Sequence, residues 1–328
     1  MLSAITTYQQ SLEDVLIFLF FGIGAKVIIL FVRRSKTPQV PRGRTRLWYG
    51  LGIFWLLSAI LQLWPTMAVV SAQSLRPHPL LWSLASYWSA HAMANTIWSV
   101  VIQLILGILL LTERENLTGR IALGISAAWS LFLWTAGEDW GGLTRVSASL
   151  VLGSPGAGFL ALAASAALLM PVTSWENGKV PQFMFRGLAI LWGIGTVWQF
   201  VHFNAYAAWA PVWVPYIDPA QPGLTLLLLH GEQALFRGHT LLVNLVLSLL
   251  MAVGEVLLIR RPAGGLFWAI VGINLLAFWW LGQGLGLRPA YGASLNAAPL
   301  LFLMIWSSSS ATTRRRQTRQ ADTPALSA

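Results

Sequence analysis

Trp55-Leu-Leu-Ser-Ala-Ile-Leu-Gln62 and Trp192-Gly-Ile-Gly-Thr-Val-Trp-Gln199 share one Trp-to-Gln spacing in two apolar stretches of a 328-residue chain. The correspondence continues in order. His91 to Asn95 opens an apolar run, as His239 to Asn244 does, and Trp134-Thr-Ala-Gly-Glu-Asp-Trp-Gly-Gly142 returns as Trp279-Trp-Leu-Gly-Gln-Gly-Leu-Gly286. Ordered self-similarity of this kind marks a duplicated architecture.

The composition around these stretches is that of an integral membrane protein. Hydrophobic residues make up 56% of the chain and charged residues 10%, where soluble domains carry about a quarter charged. Crossing the hydrocarbon takes about 20 apolar residues. About nine such runs can be placed, at 15–32, 48–64, 91–111, 120–137, 155–171, 186–203, 239–259, 265–282 and 292–310. They lack the alternation of barrel strands, so an all-α fold is expected. The first run reads as a retained anchor, with Glu13 and Asp14 before it and no small-residue cleavage site after it.

Basic residues set the expected orientation. They gather between runs 1 and 2 (Arg33, Arg34, Lys36, Arg42, Arg44, Arg46), between alternate later runs (Arg114, Arg120; Lys179, Arg186; Arg260, Arg261) and in the tail (Arg314, Arg315, Arg316, Arg319). Of the 21 basic residues only Arg76, Arg145, Arg237 and Arg288 fall on the opposite side, with Lys26 inside run 1. Positive-inside bias then predicts a multi-pass plasma-membrane protein, N-terminus outside and C-terminus cytoplasmic. The net charge of +10 reads as topology and contact with anionic lipid, not as a nucleic-acid surface.

Four runs per copy return the chain to the side where it began, so the copies are expected to be parallel, related by an axis along the membrane normal. Residues 1–47 form an N-terminal transmembrane anchor and basic cytoplasmic loop, 48–175 the first four-helix repeat, 185–310 the second, and 311–328 a disordered basic tail. The loops on the outer side are long. Two of them, 79–90 and 211–229, are apolar enough to lie in the interface or re-enter the membrane. Of the 18 tryptophans, Trp64, Trp88, Trp134, Trp140, Trp209, Trp213, Trp279 and Trp280 fall near expected outer ends, and Trp48, Trp175 and Trp306 near inner ones. Interface belts are the expected reading.

Cysteine is absent, which excludes a disulfide relay, a thiolate nucleophile and a cysteine-held iron–sulfur cluster. Polar side chains that reach outer helix ends are the candidates for a site. They are His91, Asn95, Glu138 and Asp139 in the first copy, and His202, His230, Glu232, His239, Asn244 and Gln283 in the second, with Gln62, Gln199 and Asn204 beside them. Imidazole and carboxylate at His202, His230, Glu232 and His239 suit a transition metal, at a spacing that matches no standard motif; a hydrogen-bonded loop anchor is the alternative. His91 and His239, equivalent in the two copies, could face each other across a haem. Gly137-Glu-Asp-Trp-Gly-Gly142 reads first as a tight turn, because the second copy replaces Glu138 with Gln283 and Asp139 with Gly284. Within the runs, Gln103, Ser126, Ser130 and Asn274 are expected to bond between helices, and Glu255 to pair with Arg260 or Arg261.

Trp55 to Gln62, then Gln103-Leu-Ile-Leu-Gly-Ile-Leu-Leu-Leu111 and a basic turn with Arg120, resembles the four-helix DoxD/DoxX family. The second half, with Gly254-Glu-Val-Leu-Leu258 before Arg260 and Arg261, is similar in layout. The chain also resembles an uncharacterised bacterial family of duplicated membrane proteins with Gly-rich turns, here Gly137 to Gly142 and Gly282 to Gly286. The DoxD resemblance implies a quinone-linked redox subunit. The residues themselves favour an accessory or binding subunit with an outward-facing polar pocket, not an enzyme on its own, in the lipid bilayer beside other membrane or extracytoplasmic subunits. A small-molecule transporter is the third reading. No cofactor is assigned; quinone, haem and metal stay open.

Overall fold

The computed structural model describes residues 17, 40–62, 83, 86–87, 90–138, 140–143, 148–213, 223–260, 264–286 and 295–321. The expected first run apart from Ile17, most of the loop 79–90, residues 214–222, and Asp139, Arg145 and Arg261 lie outside this set. All regular structure among the described residues is helical. The helices are α1 (Arg42–Gln62), α2 (Ala92–Thr112), α3 (Leu117–Phe132), α4 (Ala157–Leu169), α5 (Val172–Glu176), α6 (Lys179–His202), α7 (Tyr206–Trp213), α8 (Gly223–Phe236), α9 (Thr240–Arg260), α10 (Gly265–Ala277) and α11 (Ala297–Ala321). The last helix continues into the segment read as a tail. Of the loop 211–229, the described ends belong to α7 and α8.

Among the described residues five helices are long and apolar enough to cross a membrane: Ala94–Thr112, Leu117–Gly137, Lys179–His202, Thr240–Arg260 and Gly265–Gly282. Ala157–Leu169 and Ala297–Ser309 are apolar but shorter. The described residues are thus all-helical, with several segments long and apolar enough to cross a membrane.

Packing runs around two rings. In the first, α1 packs on α2, α2 on α3, α3 on α4 and α4 back on α1; in the second, α6, α9, α10 and α11 close in the same way. Helix α11 also packs against α1 and α4, joining the rings. Small residues set the closest approach. A Cβ on Gly52 of α1 would stand 3.3 Å from the Gly107 carbonyl of α2, and one on Gly107 would stand 3.0 Å from the Gly52 carbonyl. Without a hydrophobic drive between helices in lipid, such close contact supplies the association.

Polar side chains then pin the helices at fixed heights. Trp55 Nε1 donates to Ser126 Oγ (2.9 Å), which lies 2.9 Å from Ser165 Oγ, so one chain of bonds ties α1, α3 and α4. Asn274 Nδ2 donates to the carbonyls of Leu250 and Ile270, each at 2.9 Å, holding α10 on α9. Gln103 and Ser130 are fully buried and their side chains find no bonding partner among the described residues, against the expectation. Of the two partners expected for Glu255, Arg261 lies outside the described residues and Arg260 does not pair with it. Arg260 is exposed and makes no ion pair with Glu255 among the described residues. Five positions apart on a helix, the two point in different directions.

The belt reading fails at three tryptophans. Trp48, Trp175 and Trp209 are buried, and their indoles donate to the carbonyls of Leu110 (2.7 Å), Ala167 (2.9 Å) and Phe203 (3.0 Å). Trp192 does the same to Met251 (2.9 Å). A buried indole N–H needs an acceptor, and a helix carbonyl can accept a second bond. Trp280 and Trp306 keep 37% and 39% of their surface exposed, in line with a belt.

The end of the bundle where α1 begins carries the strongest pairing. Arg44, 2% exposed, holds Glu115, 6% exposed, with Nε at 2.5 Å from Oε1 and Nη2 at 3.0 Å from Oε2. Its Nη1 donates to Met170 O at 2.8 Å, so one guanidinium joins the start of α1, the α2–α3 turn and the end of α4. Arg46 stacks 4.5 Å over Trp306, fastening α1 to α11 at this basic end. Arg44→Met leaves the Glu115 carboxylate buried alone and should destabilise the detergent-purified protein by about 3–5 kcal/mol, with most of the loss recovered on adding Glu115→Gln. Thermal unfolding followed by circular dichroism checks both.

Candidate functional site

At the other end of the bundle, the loop end, two turns follow the same course. Helix α3 widens into a π-helical turn at Leu133–Gly137, and α10 does so at Phe278–Gly282. Left-handed backbone follows in each: Trp140, Gly141 and Gly142 have φ of 58°, 64° and 73°, and Gly284, Leu285 and Gly286 have 54°, 56° and 78°. This backbone match pairs Trp140 with Gly284. The sequence alignment had set Asp139 against Gly284; the turns show instead that residue 139 is an insertion.

Each turn then caps the helix that comes next. Trp134 Nε1 donates to Pro155 O (2.8 Å), two residues before α4, and Trp279 Nε1 donates to Leu295 O (3.0 Å), two residues before α11. The Glu138 carboxylate accepts from the Gly158 amide at 3.0 and 3.1 Å. Gln283 Oε1 accepts from the Ala298 amide at 3.0 Å. In both cases an oxygen from the turn takes the second amide of a helix, where no main-chain acceptor exists. Close backbone approach makes this possible, and glycine permits it: a Cβ on Gly141 or on Gly282 would stand 1.8 Å from the carbonyl of Pro155 or of Val151.

The second turn also reaches into the other ring. Gln283 Nε2 donates to Val151 O at 3.3 Å. The loop holding Val151 also sits on α6, where Ser149 Oγ donates to Gln199 Oε1. In the reverse sense, the Leu295 amide donates to Ser58 Oγ of α1 at 3.4 Å. Thus the loop leading into the last helix of each ring rests on the first helix of the other.

Gln199 and Asn244 complete the network. Gln199 Nε2 donates to Asn244 Oδ1 (2.8 Å), and Asn244 Nδ2 donates to Gln199 O (3.2 Å) and Asn204 Oδ1 (2.9 Å). Both residues are fully buried, as is Gln283. Every polar atom of these three amides is engaged, so their chemistry is positional.

The other candidates are not gathered with them. His91 is exposed, with Nδ1 3.0 Å from Tyr87 O and its ring against Tyr87 at 4.5 Å. His202 lies on the Trp198 ring at 3.9 Å. His230 and His239 are exposed; Glu232 is buried at 1% on α8, and Asn95 is half-buried. Among the described residues no three of His, Asp and Glu come together in a way that could hold a metal ion. Asp139 lies outside the described residues.

Ser149, Ser58 and Asn296 take part without having been singled out from sequence. Asn296, with φ of 66°, donates through Nδ2 to Gln283 O at 2.9 Å. An Asn just before Ala297-Ala-Pro is a readable helix-start signal. Nothing comparable marks the two serines.

No family model matches this chain, and no curated protein or solved structure does so either.

Glu138 lies one residue beyond the span Leu117–Gly137. Burial pushes its pKa up to about 8, against the opposing effect of bonds from the Gly158 and Ala157 amides. The fold therefore favours the protonated carboxyl, and the stability this contributes is complete below about 4.5 and lost as pH rises through about 8. Thermal melts in detergent from acid to alkaline pH should show that decline in the parent chain and a flatter profile in Glu138→Gln. Glutamine already fills the matching place at Gln283, so Glu138→Gln should fold normally, whereas Gln283→Ala should cost about 1–3 kcal/mol by orphaning the buried Ala298 amide.

Proposed function

We propose that the protein is a non-enzymatic multi-pass membrane component, an accessory or binding subunit built from two parallel four-helix units behind an N-terminal anchor. Nine spans, an outer N-terminus and a cytoplasmic C-terminus in the plasma membrane complete this reading, supported by the basic loops and by the shared course of the two capped turns. The observation that carries it is the reciprocal contact between rings: Ser149 on Gln199, and Leu295 on Ser58. A transporter working by rocking one unit against the other would have to break these contacts in every cycle. A scaffold keeps them. Partners would then meet the loop end through exposed groups such as His91, His230 and His239, not through a pathway between the units. The quinone-linked reading rests on the DoxD resemblance and on the outer histidines.

Cysteines introduced at Gln103 and Asn274 in the naturally cysteine-free chain test this. Both should resist membrane-impermeant thiol reagents from either side. Labelling of one position from both sides overturns the scaffold reading in favour of transport. A Soret band or stoichiometric metal in the protein purified from replete cells, lost on substituting His230 and His239, overturns it in favour of redox chemistry.

A further inference from the structure

Inside the first ring two fully buried side chains have no bonding partner among the described residues: the Gln103 amide of α2, at both Nε2 and Oε1, and the Ser130 hydroxyl of α3. The buried Trp129 indole N–H, one residue before Ser130, is in the same condition. Buried polar groups are nearly always hydrogen-bonded, so three orphans on two adjacent helices call for a shared partner.

They stand at one depth. Gly52 of α1 meets Gly107 of α2, and Trp55 of α1 bonds Ser126 of α3. Gln103 and Ser130 each lie one helical turn from those contacts toward the loop end, level with Leu56 and Ala59 of α1, and so differ in height by about 4.5 Å. A long side chain leans toward the start of its helix, which for α2 is the loop end, and this closes the difference. They also share a direction. Gln103 sits in a buried stripe of α2 between Leu106 and Leu110 on one side and Val100 and Leu104 on the other. Ser130 follows Ser126 on the face of α3 that meets Trp55 and Ser165, and Trp129 lies on the flank turned from Gly158 of α4, the α2 side.

The second ring is a control within the same chain. Its matched π-helical turn pairs Ser126 with Val271 and Ser130 with Leu275. The matched capped amides, Gly158 and Ala298, likewise pair Ala161 with Leu301 and Ser165 with Ile305. All four second-ring residues are buried and apolar. Leucines thus fill in one ring the layer that Ser99, Ser130 and Ala161 line in the other. That layer also divides the apolar packing of the first ring, since Ala59, Val100 and Leu104 form a cluster apart from the main core.

We propose that the first ring holds, between α2 and α3 near the middle of the membrane, a binding site for a small uncharged molecule that both accepts and donates hydrogen bonds. Gln103 Nε2 and the Trp129 indole offer donors, Gln103 Oε1 an acceptor, and Ser130 either. The guest is neutral because α1 beyond Arg46, α2, α3 beyond Arg120 and α4 carry no charged residue to balance an ion. Water has this chemistry, and so does a small solute bearing a hydroxyl or an amide. The site does not depend on the scaffold reading, since a guest enclosed in one ring is compatible with rings that are fixed or that move.

Structure determination of the full chain in lipid nanodiscs, at a resolution that shows ordered water, reads the site directly. Density within hydrogen-bond distance of Gln103 and of Ser130 or Trp129 is expected. It should be lost in Gln103→Met and in Ser130→Leu/Ala161→Leu, which copies the second ring; the single variant decides if the double one does not fold. Mass spectrometry of extracts from the parent and Gln103→Met separates the sources. A stoichiometric neutral compound in the parent alone identifies a solute, and density without such a compound identifies water. No density in the parent, density that persists in either folded variant, or Gln103 bonded to another segment of the chain would each overturn the proposal.

Discussion

Two helices of this protein, α4 and α11, start where their first amides have no main-chain acceptor, and the fold depends on how those amides are satisfied. An unpaired amide near hydrocarbon costs several kcal/mol, about as much as a marginal protein can spare. The Glu138 carboxylate and the Gln283 amide meet this need from the preceding turn, while the indoles of Trp134 and Trp279 hold the carbonyls two residues upstream. For the capping oxygens to reach, α3 and α10 must each widen by a π-helical turn and the chain must run through left-handed backbone. The loops so positioned are also the ones that rest on the opposite ring. Helix capping and the joining of the two units are therefore one arrangement.

At the basic end the same logic uses charge. Arg44 gathers the Glu115 carboxylate and the Met170 carbonyl in one buried fork, and Arg46 lies over Trp306. Pinning the helices at both ends leaves their middles to small residues and to single interhelical bonds such as Trp55 to Ser126. Where such a bond is not made, as at Gln103, a buried amide stands without a partner among the described residues.

Much of this was legible in the residues and some was not. Hydropathy marks the helices, and the echo of Trp134 to Gly142 in Trp279 to Gly286 points to two like turns before either is seen. Glu138 and Gln283 stand out as polar groups at helix ends, but their task does not, because it depends on a helix start some 15 to 20 residues later reaching the same point in space. The one-residue insertion at 139 was misassigned for a related reason: Gly284 looks like a substitute for Asp139 until the φ angles align it with Trp140. Tryptophans misled in the opposite sense. A sequence places Trp48, Trp175 and Trp209 near helix ends, yet only packing tells whether an indole N–H faces headgroups or a neighbouring carbonyl. The histidines, which the sequence leaves open as metal ligands or as loop anchors, do not come together among the described residues in a group of three that could hold a metal ion.

A protein whose buried Gln199 and Gln283 amides each hold the loop of the opposite ring is suited to holding a shape. Rigidity between the rings is the property from which the scaffold reading follows, and it can be measured without knowing a ligand. Spin labels at Trp98 of α2 and Ile190 of α6, both exposed, report the distance between the rings by pulsed electron–electron resonance in liposomes. A single narrow distribution, unchanged across pH and membrane potential, is the predicted result; two resolved populations that exchange with conditions would contradict the account.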